Sequence, residues 1–530
     1  MGHHSSKMQG LVLPCQGGKT RKAINIINKR YMEIAEVARA SGVVSSDSDL
    51  NIWISANNKM LVKQTETRMS AEIQFEDSES DSDDELNADA IIDDENRVFS
   101  WMSGTKKNNI TTDSVTLAIL LNKIEMIVMC SNGIRMRYLN TLLRQLSEFP
   151  MFTKKITIWI DEADVSLCSW RKYPNVLAMK QLNQVILITA TPTPIIKMYT
   201  SLQIIPYACT YPEVYRYLTH AECVEVTWAS SDIRVNLMDI ILAEGNDALY
   251  KPGARAFIPG NFDKNSHEEV STVLMEMGFI VIILNGTEKE IRFPDEEKKV
   301  IDLKPFMTTH GTETPEEFNE TLARLYSEHH MARYPLAITG CLCVERGITF
   351  QSDVSEDHSG FVFDYGIIPP VPNAATAYQT MARLFGNIGH FSNYKPCTIY
   401  ADKKTFEKVR HQESIAINLP RIMFERGLRV ATMETLNEAG GMNKAVDTDK
   451  DSFPCDTQEE AREIGKMLGV NFQHRPTSDA PSELKINGRN PTSEKLLERM
   501  WGINKKTPVR MVPTIDNKWF VYWRPSLLVL

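Results

Sequence analysis

No stretch of the 530 residues approaches the roughly 18 consecutive apolar positions of a membrane-spanning helix, and the N-terminus lacks the apolar core of a secretory signal. A soluble, intracellular chain with no membrane partner is therefore expected. Cysteine is sparse and unpatterned. The nine are odd in number, no two stand as C-x-x-C, and no nearby histidine completes a zinc spacing. A disulfide framework is excluded and reduced thiols are expected. Cys341 and Cys343 are only two ligands, too few for a structural zinc site. Basic residues are missing altogether between Glu76 and Glu95, where eleven acids stand. Those acids conceal the character of the rest, because removing their charge turns the net −9 into +2.

An apolar fraction of 42% and a charged fraction of 24% are those of an ordinary globular protein. The length suggests three or four domains at about 150 residues each. The last seventy residues hold twelve Lys and Arg against six acids, so charge is polarised along the chain, as happens in proteins that handle nucleic acid. Short apolar runs at Leu11–Leu13, Ile52–Ile54, Val98–Trp101, Met126–Met129, Ile156–Ile160 and Val185–Ile188 alternate with amphipathic segments such as Arg21–Ala40 and Met136–Leu146. Such runs fit strands buried on both faces of a parallel sheet, and the alternation predicts a doubly wound α/β domain over residues 1–219. Residues 77–95 interrupt it with Ser-Asp repeats that cannot form a core. They are expected to be a disordered insertion, either a plain solvated loop or an acidic decoy for a basic groove.

The alternation resumes after Thr219. Strands are expected at Ala256–Pro259, Ile280–Leu284, Leu336–Thr339, Phe361–Phe363 and Thr398–Tyr400, with helices at His267–Met277, Pro315–Glu328 and Thr376–Phe385. This is a second α/β domain, over 220–414. From 415 to 530 the pattern turns helical and irregular and ends in the aromatic, basic run Lys518–Arg524, so a smaller C-terminal domain is expected there. Trp501, Trp519, Phe520, Tyr522 and Trp523 among cations suit single-strand binding by stacking, or the aromatics of 518–524 form a core strand.

Three strand ends carry chemistry. The first strand runs into Pro14-Cys15-Gln16-Gly17-Gly18-Lys19-Thr20 and then a helix, the context of a phosphate-binding loop. Gly17 and Gly18 let backbone N–H groups close on phosphates, and the helix N-terminus adds a favourable dipole. Lys19 would contact the β and γ phosphates and Thr20 would hold Mg²⁺, so ATP and Mg²⁺ are the expected cofactors. Leu13 stands where the pattern GxxxxGK[ST] opens with glycine. The run Ile156–Ile160 ends in Asp161-Glu162-Ala163-Asp164. Carboxylates at the end of a buried strand are costly without a role. Asp161 can bind the metal and Glu162 can polarise the attacking water, or the pair merely caps the next helix. The third strand end is Thr189-Ala190-Thr191-Pro192.

Together these motifs, in this order, resemble the first motor domain of superfamily 2 helicases. The resemblance covers residues 10 to 410 and implies two tandem RecA-like parallel-sheet motor domains with a small C-terminal domain. It assigns Thr189 and Thr191 to coupling nucleotide state to the strand path. It places Asn57 and Gln64, and then Ser131 and Asn132, at nucleic-acid-contacting motifs. Phe257-Ile258-Pro259-Gly260 and Leu284-Asn285-Gly286 look like the opening of the second motor domain, and Thr339 and Gly340, with Arg346-Gly347-Ile348-Thr349, like its fifth motif. Gln379-Thr380-Met381-Ala382-Arg383 looks like the sixth, on a helix, with Gln379 near the γ-phosphate and Arg383 as an arginine finger. Gly386 occupies the place of that motif's second arginine. The upstream glutamine motif of true DEAD-box RNA helicases is missing, and the chain looks closer to the divergent helicases of large DNA viruses. The expected activity is ATP hydrolysis coupled to movement on, or unwinding of, single-stranded or duplex nucleic acid, DNA and RNA being equally open. The alternative is a degenerate motor kept as a nucleic-acid-binding or structural module.

Overall fold

The computed structural model describes residues 7–15, 17–41, 49–56, 59–73, 97–101, 110–170, 179–199, 201–205, 215–230, 232–260, 264–285, 288–294, 299–308, 318–340, 349–371, 373–386, 388–440, 451–455, 509–513 and 519–523. Asn57, the acidic stretch 77–95, Gly286, the pair Cys341 and Cys343, Arg346, Trp501 and the cations flanking Trp519–Trp523 lie outside them.

The first sheet contains β1 (Met8–Val12), β2 (Leu50–Ser55), β3 (Val98–Trp101), β4 (Met126–Cys130), β5 (Ile156–Ile160), β6 (Leu182–Thr189) and β7 (Ser201–Ile204). Their spatial order is β7-β1-β6-β5-β2-β4-β3, all parallel. Every residue of β2, β4 and β5 is buried, which is why these strands read as unbroken apolar runs rather than alternating ones. Within the sheet Trp53 stacks on Trp159 at 6.2 Å, and the Trp159 indole N–H donates to Asn51 Oδ1 at 2.9 Å. The polar handle of the buried ring is thereby satisfied.

The second sheet contains β8 (Glu222–Glu225), β9 (Arg255–Phe257), β10 (Ile280–Leu284), β11 (Lys289–Arg292), β12 (Val300–Asp302), β13 (Leu336–Thr339), β14 (Tyr365–Ile367) and β15 (Thr398–Ala401). Their order is β12-β11-β10-β13-β9-β14-β15-β8, with the β10–β11 and β11–β12 pairings antiparallel and the other pairings parallel. Two tandem RecA-like domains thus make up the body of the chain, as expected. Phe361–Phe363 is not the strand it was expected to be. Phe361 makes one isolated bridge with Ser352, and the sheet strand follows at β14. The apolar run reflects aromatic packing instead, with Phe363 5.4 Å from both Phe257 and Phe361.

The expected start of a C-terminal domain at 415 is also displaced. The helix Lys403–Glu425 serves both lobes: Phe406, Val409 and Ala416 join the second core, whereas Ile415, Leu419, Ile422 and Met423 join the first. It leads to β16 (Val430–Thr432), which adds antiparallel to β7, and to the helix Met433–Ala439, whose Leu436 and Ala439 enter the same first core. The compact unit accordingly extends to Gly441. Beyond it, β17 (Asp451–Cys455), β18 (Val509–Pro513) and β19 (Trp519–Trp523) form an antiparallel three-stranded sheet with β19 in the centre. The backbone of the aromatic run is therefore a paired strand.

Candidate nucleotide site between the two sheets

The site is built where β1, β5 and β6 end. β1 stops at Val12, and Leu13 extends the ladder by donating its N–H to the Thr189 carbonyl at 3.2 Å. The chain then turns, with Gly17 N–H donating to the Pro14 carbonyl at 2.9 Å. A side chain at Gly17 would put its Cβ 2.9 Å from that carbonyl oxygen, and Gly18 has φ +75°. Both positions require glycine, one for space and one for backbone conformation. The helix Lys19–Ser41 follows at once, so Lys19 and Thr20 occupy its first turn.

Lys19 reaches back to Glu162, with Nζ 3.3 Å from Oε1 and both side chains almost wholly buried. Burial opposes its charge, but the Glu162 and Asp161 carboxylates outweigh that and hold Lys19 above its ordinary value, while Arg383 is close enough to work against it. Asp161 is pushed toward its neutral form instead: burial first, and then the negative charge of Glu162, raise its carboxyl, partly offset by Lys19. Asp161 Oδ1 also accepts the Glu162 backbone N–H at 2.9 Å, in a turn that puts Glu162 at φ +47°. A left-handed backbone at a glutamate is strained, and such strain persists where the surroundings determine it.

The second lobe completes the cluster. From the helix Ala374–Met381, Gln379 donates Nε2 to Glu162 Oε2 at 2.9 Å and lies 3.5 Å from Thr191 Oγ1. Thr191 takes its place from Thr189, whose Oγ1 accepts the Thr191 N–H at 2.9 Å and donates to Asp164 Oδ1 at 3.4 Å. Lys19, Glu162, Gln379, Thr191, Thr189 and Asp164 thus form one chain of polar contacts across both lobes. Arg383 is 5% exposed, but it lies in the turn after the helix rather than on it, its carbonyl accepting from Gln351 Nε2 at 2.9 Å. The helix ends at Met381, four residues short of the expected Phe385.

The residues expected to meet nucleic acid stand elsewhere. Ser131 and Asn132 follow β4, where Ser131 N–H donates to the Ser55 carbonyl at 2.9 Å, and Asn132 Oδ1 caps the helix Gly133–Glu148 by accepting from Arg135 N–H. Gln64 lies on the helix Lys59–Glu72. Thr339 ends β13, and Gly340 after it has φ +132°, with a Cβ that would fall 1.9 Å from the Leu284 carbonyl oxygen. All but Gln64 sit at the carboxyl ends of parallel strands, where open α/β sheets bind ligands. Sequence reasoning gave no role to Asp164, although it stood within the acidic run.

No family model matches the chain, and no curated protein matches it. Among solved structures it is similar to S. cerevisiae Dbp5 bound to RNA and ADP BeF3, at 14% identity over 77% of this chain and 82% of that one, with a TM-score of 0.41. It is also similar to Mss116p bound to ssRNA and AMP-PNP, at 11% identity over 87% and 77%, with a TM-score of 0.40. The yeast DEAD-box splicing factor Prp28 is matched at 14% identity over 76% and 72%, with a TM-score of 0.21.

The residues present suit a magnesium–nucleotide complex. Asp161 and Thr20 offer the oxygen ligands that Mg²⁺ takes. Among the described residues, the buried Gln379 Oε1 has no hydrogen-bond partner, leaving an acceptor for a water or a phosphate-bound proton beside Glu162.

Proposed function

We propose that the chain is an ATP-dependent nucleic-acid motor of the superfamily 2 helicase type. The observation that carries this reading is the contact between lobes: Glu162, at the end of β5, binds Lys19 of the phosphate loop with one oxygen and Gln379 of the second lobe with the other. An acid, a phosphate-loop lysine and a residue of the opposite lobe converging on one point suit hydrolysis that depends on how the lobes meet.

Lys19 and the N–H groups of the loop hold the β and γ phosphates. Asp161 and Thr20 would hold Mg²⁺, which neutralises charge on the phosphate oxygens. Glu162 accepts a hydrogen bond from a water and orients it in line with the γ-phosphorus. The water oxygen bonds to that phosphorus as the bond to the β–γ bridging oxygen breaks, giving ADP and inorganic phosphate. Arg383 stabilises the charge that develops. Thr189 and Thr191 connect this chemistry to Asp164 and Gln379, so loss of the γ-phosphate alters a chain of contacts that crosses the lobes. A single strand of DNA or RNA would cross the strand ends marked by Ser131, Asn132, Thr339 and Gly340, with Asn57 and Gln64 on the same path.

The test is ATP turnover measured with no nucleic acid, single-stranded DNA, single-stranded RNA and duplex, followed by strand displacement with whichever stimulates. Stimulation by one of them with unwinding establishes a helicase. Turnover without displacement establishes a translocase. Nucleic-acid binding without turnover makes the chain a degenerate motor.

A further inference from the structure

The middle of the phosphate loop is held from outside by two tyrosines far away in sequence. Cys15 N–H donates to the Tyr378 hydroxyl at 3.1 Å, and the Cys15 carbonyl accepts from the Tyr215 hydroxyl at 2.6 Å. Both phenols are buried. Cys15 is thereby held at both of its backbone polar groups, the N–H by Tyr378 and the carbonyl by Tyr215. Burial pushes both phenols well above their ordinary values, so both hydrogens stay in place at any ordinary pH.

The two tyrosines come from the parts that must move if the lobes separate. Tyr378 directly precedes Gln379 on the second-lobe helix. Tyr215 lies in the connection between the sheets, which is itself tied to the turn after Arg383: Arg216 N–H donates to the Gly386 carbonyl at 2.7 Å, and Gly386 N–H returns a bond at 3.2 Å. The same connection is held at Leu218 N–H by the Glu413 carboxylate, at 3.2 and 3.3 Å. One residue of the phosphate loop is therefore linked to the interlobe connection and to the helix that carries Gln379.

We propose that Tyr215 and Tyr378 are positioning residues that shape the phosphate loop only while the lobes are docked, making high-affinity ATP binding conditional on lobe closure. The inference rests on the ATP-site reading above and goes beyond it, because neither tyrosine need touch the nucleotide. Without either hydroxyl a buried polar group of Cys15 loses its partner, so the loop loses its fixed shape.

The experiment uses the full chain with Tyr215→Phe, Tyr378→Phe and the double variant, all of which keep the rings. Tyr365→Phe is the control, since its hydroxyl donates to the Leu249 carbonyl inside the second lobe, away from the loop. The measurements are KM for ATP and kcat with saturating single strand, affinity for a fluorescent ATP analogue, and melting temperature. Each single variant should raise KM and weaken analogue binding about fivefold, the effect of one hydrogen bond of about 1 kcal/mol. The double variant should be weaker than either single, by up to about 25-fold, because the two hydroxyls hold two different groups of Cys15. The control should leave both constants unchanged. A lower melting temperature with unaltered KM and analogue affinity would reduce the tyrosines to packing and overturn the proposal. So would a double variant with wild-type KM and analogue affinity. A wild-type chain that neither binds nor hydrolyses ATP would instead overturn the site reading, and the proposal with it.

Discussion

Replacing Glu162 by glutamine tests the centre of the site, and its two expected effects differ in scale. The carboxylate accepts from Lys19 at 3.3 Å with one oxygen and from Gln379 at 2.9 Å with the other. A carboxamide has the same shape but one acceptor oxygen, so one of the two donors loses its partner in a buried place. An unsatisfied buried donor costs about 1–3 kcal/mol. Lys19 does not lose all compensation for its charge, because Asp161 remains nearby. A destabilisation of roughly 2–3 kcal/mol leaves most molecules folded in a domain stable by about 5–15 kcal/mol. Turnover should fall much further, about 10²–10⁴-fold, the usual contribution of a positioned general base. Nucleotide binding should survive: removing the Glu162 charge removes one of the influences that push the Asp161 carboxyl up, and so favours its ionised, metal-binding form. Turnover, fluorescent-nucleotide binding and melting are to be measured on one preparation. Turnover within about threefold of wild type would refute the role given to Glu162, and lost nucleotide binding would refute the electrostatic argument.

Arg383→Ala should lower stimulated turnover by about 10³–10⁵, and Arg383→Lys should not restore it, since lysine lacks the planar fork; normal turnover per folded molecule would leave Arg383 only a structural part. Gly340→Ala should destabilise the second lobe severely, because its Cβ would lie 1.9 Å from the Leu284 carbonyl oxygen at φ +132°; a denaturation midpoint equal to wild type would contradict this. Burial pushes the Glu413 carboxyl up to about 7, against the opposing hydrogen bond from Leu218 N–H. A folded value above the unfolded one gives stability that is fully present below about pH 4.5 and is lost as pH rises to about 7, by roughly 3 kcal/mol. Glu413→Gln should remove that part of the decline in urea titrations between these values, and a parallel decline in both proteins would disprove it.

The parts of the site legible in the sequence are those in which function and local structure share a few consecutive residues. Gly17-Gly18-Lys19-Thr20 announces a turn and a helix start along with the phosphate contact, and Asp161-Glu162 follows five residues that are all buried. The tyrosine contacts between the lobes had no such local mark. Tyr215 and Tyr378 meet Cys15 from 200 and 363 residues away, and nothing near Tyr215 distinguishes it from any other aromatic. β16 was invisible for a related reason: three residues, the first exposed, have no periodicity to read, and only the docking of the helix Lys403–Glu425 on the first core carries them to β7. Phe361–Phe363 shows the converse, since an apolar run can serve aromatic packing as well as a ladder.

Two of the departures from the helicase pattern, at Leu13 and Gly386, argue against a decayed site once backbone conformation is considered. Leu13 stands where a glycine usually opens the loop, but it is buried at the end of β1 and is not among the residues with positive φ, so nothing at that position demands glycine. Gly386 stands where the sixth motif usually has its second arginine, and it has φ +76°. An arginine there would be strained, and the strain would fall on the backbone that exchanges two hydrogen bonds with Arg216. Decay by drift would leave an arbitrary residue in an arbitrary conformation. Here the substituted residue is the one type that suits the conformation, and the conformation joins the turn after Arg383 to the connection between the lobes. In the proposed motor the developing charge falls to Arg383 alone, and that residue's variants are the sharpest measure of whether the motor is live.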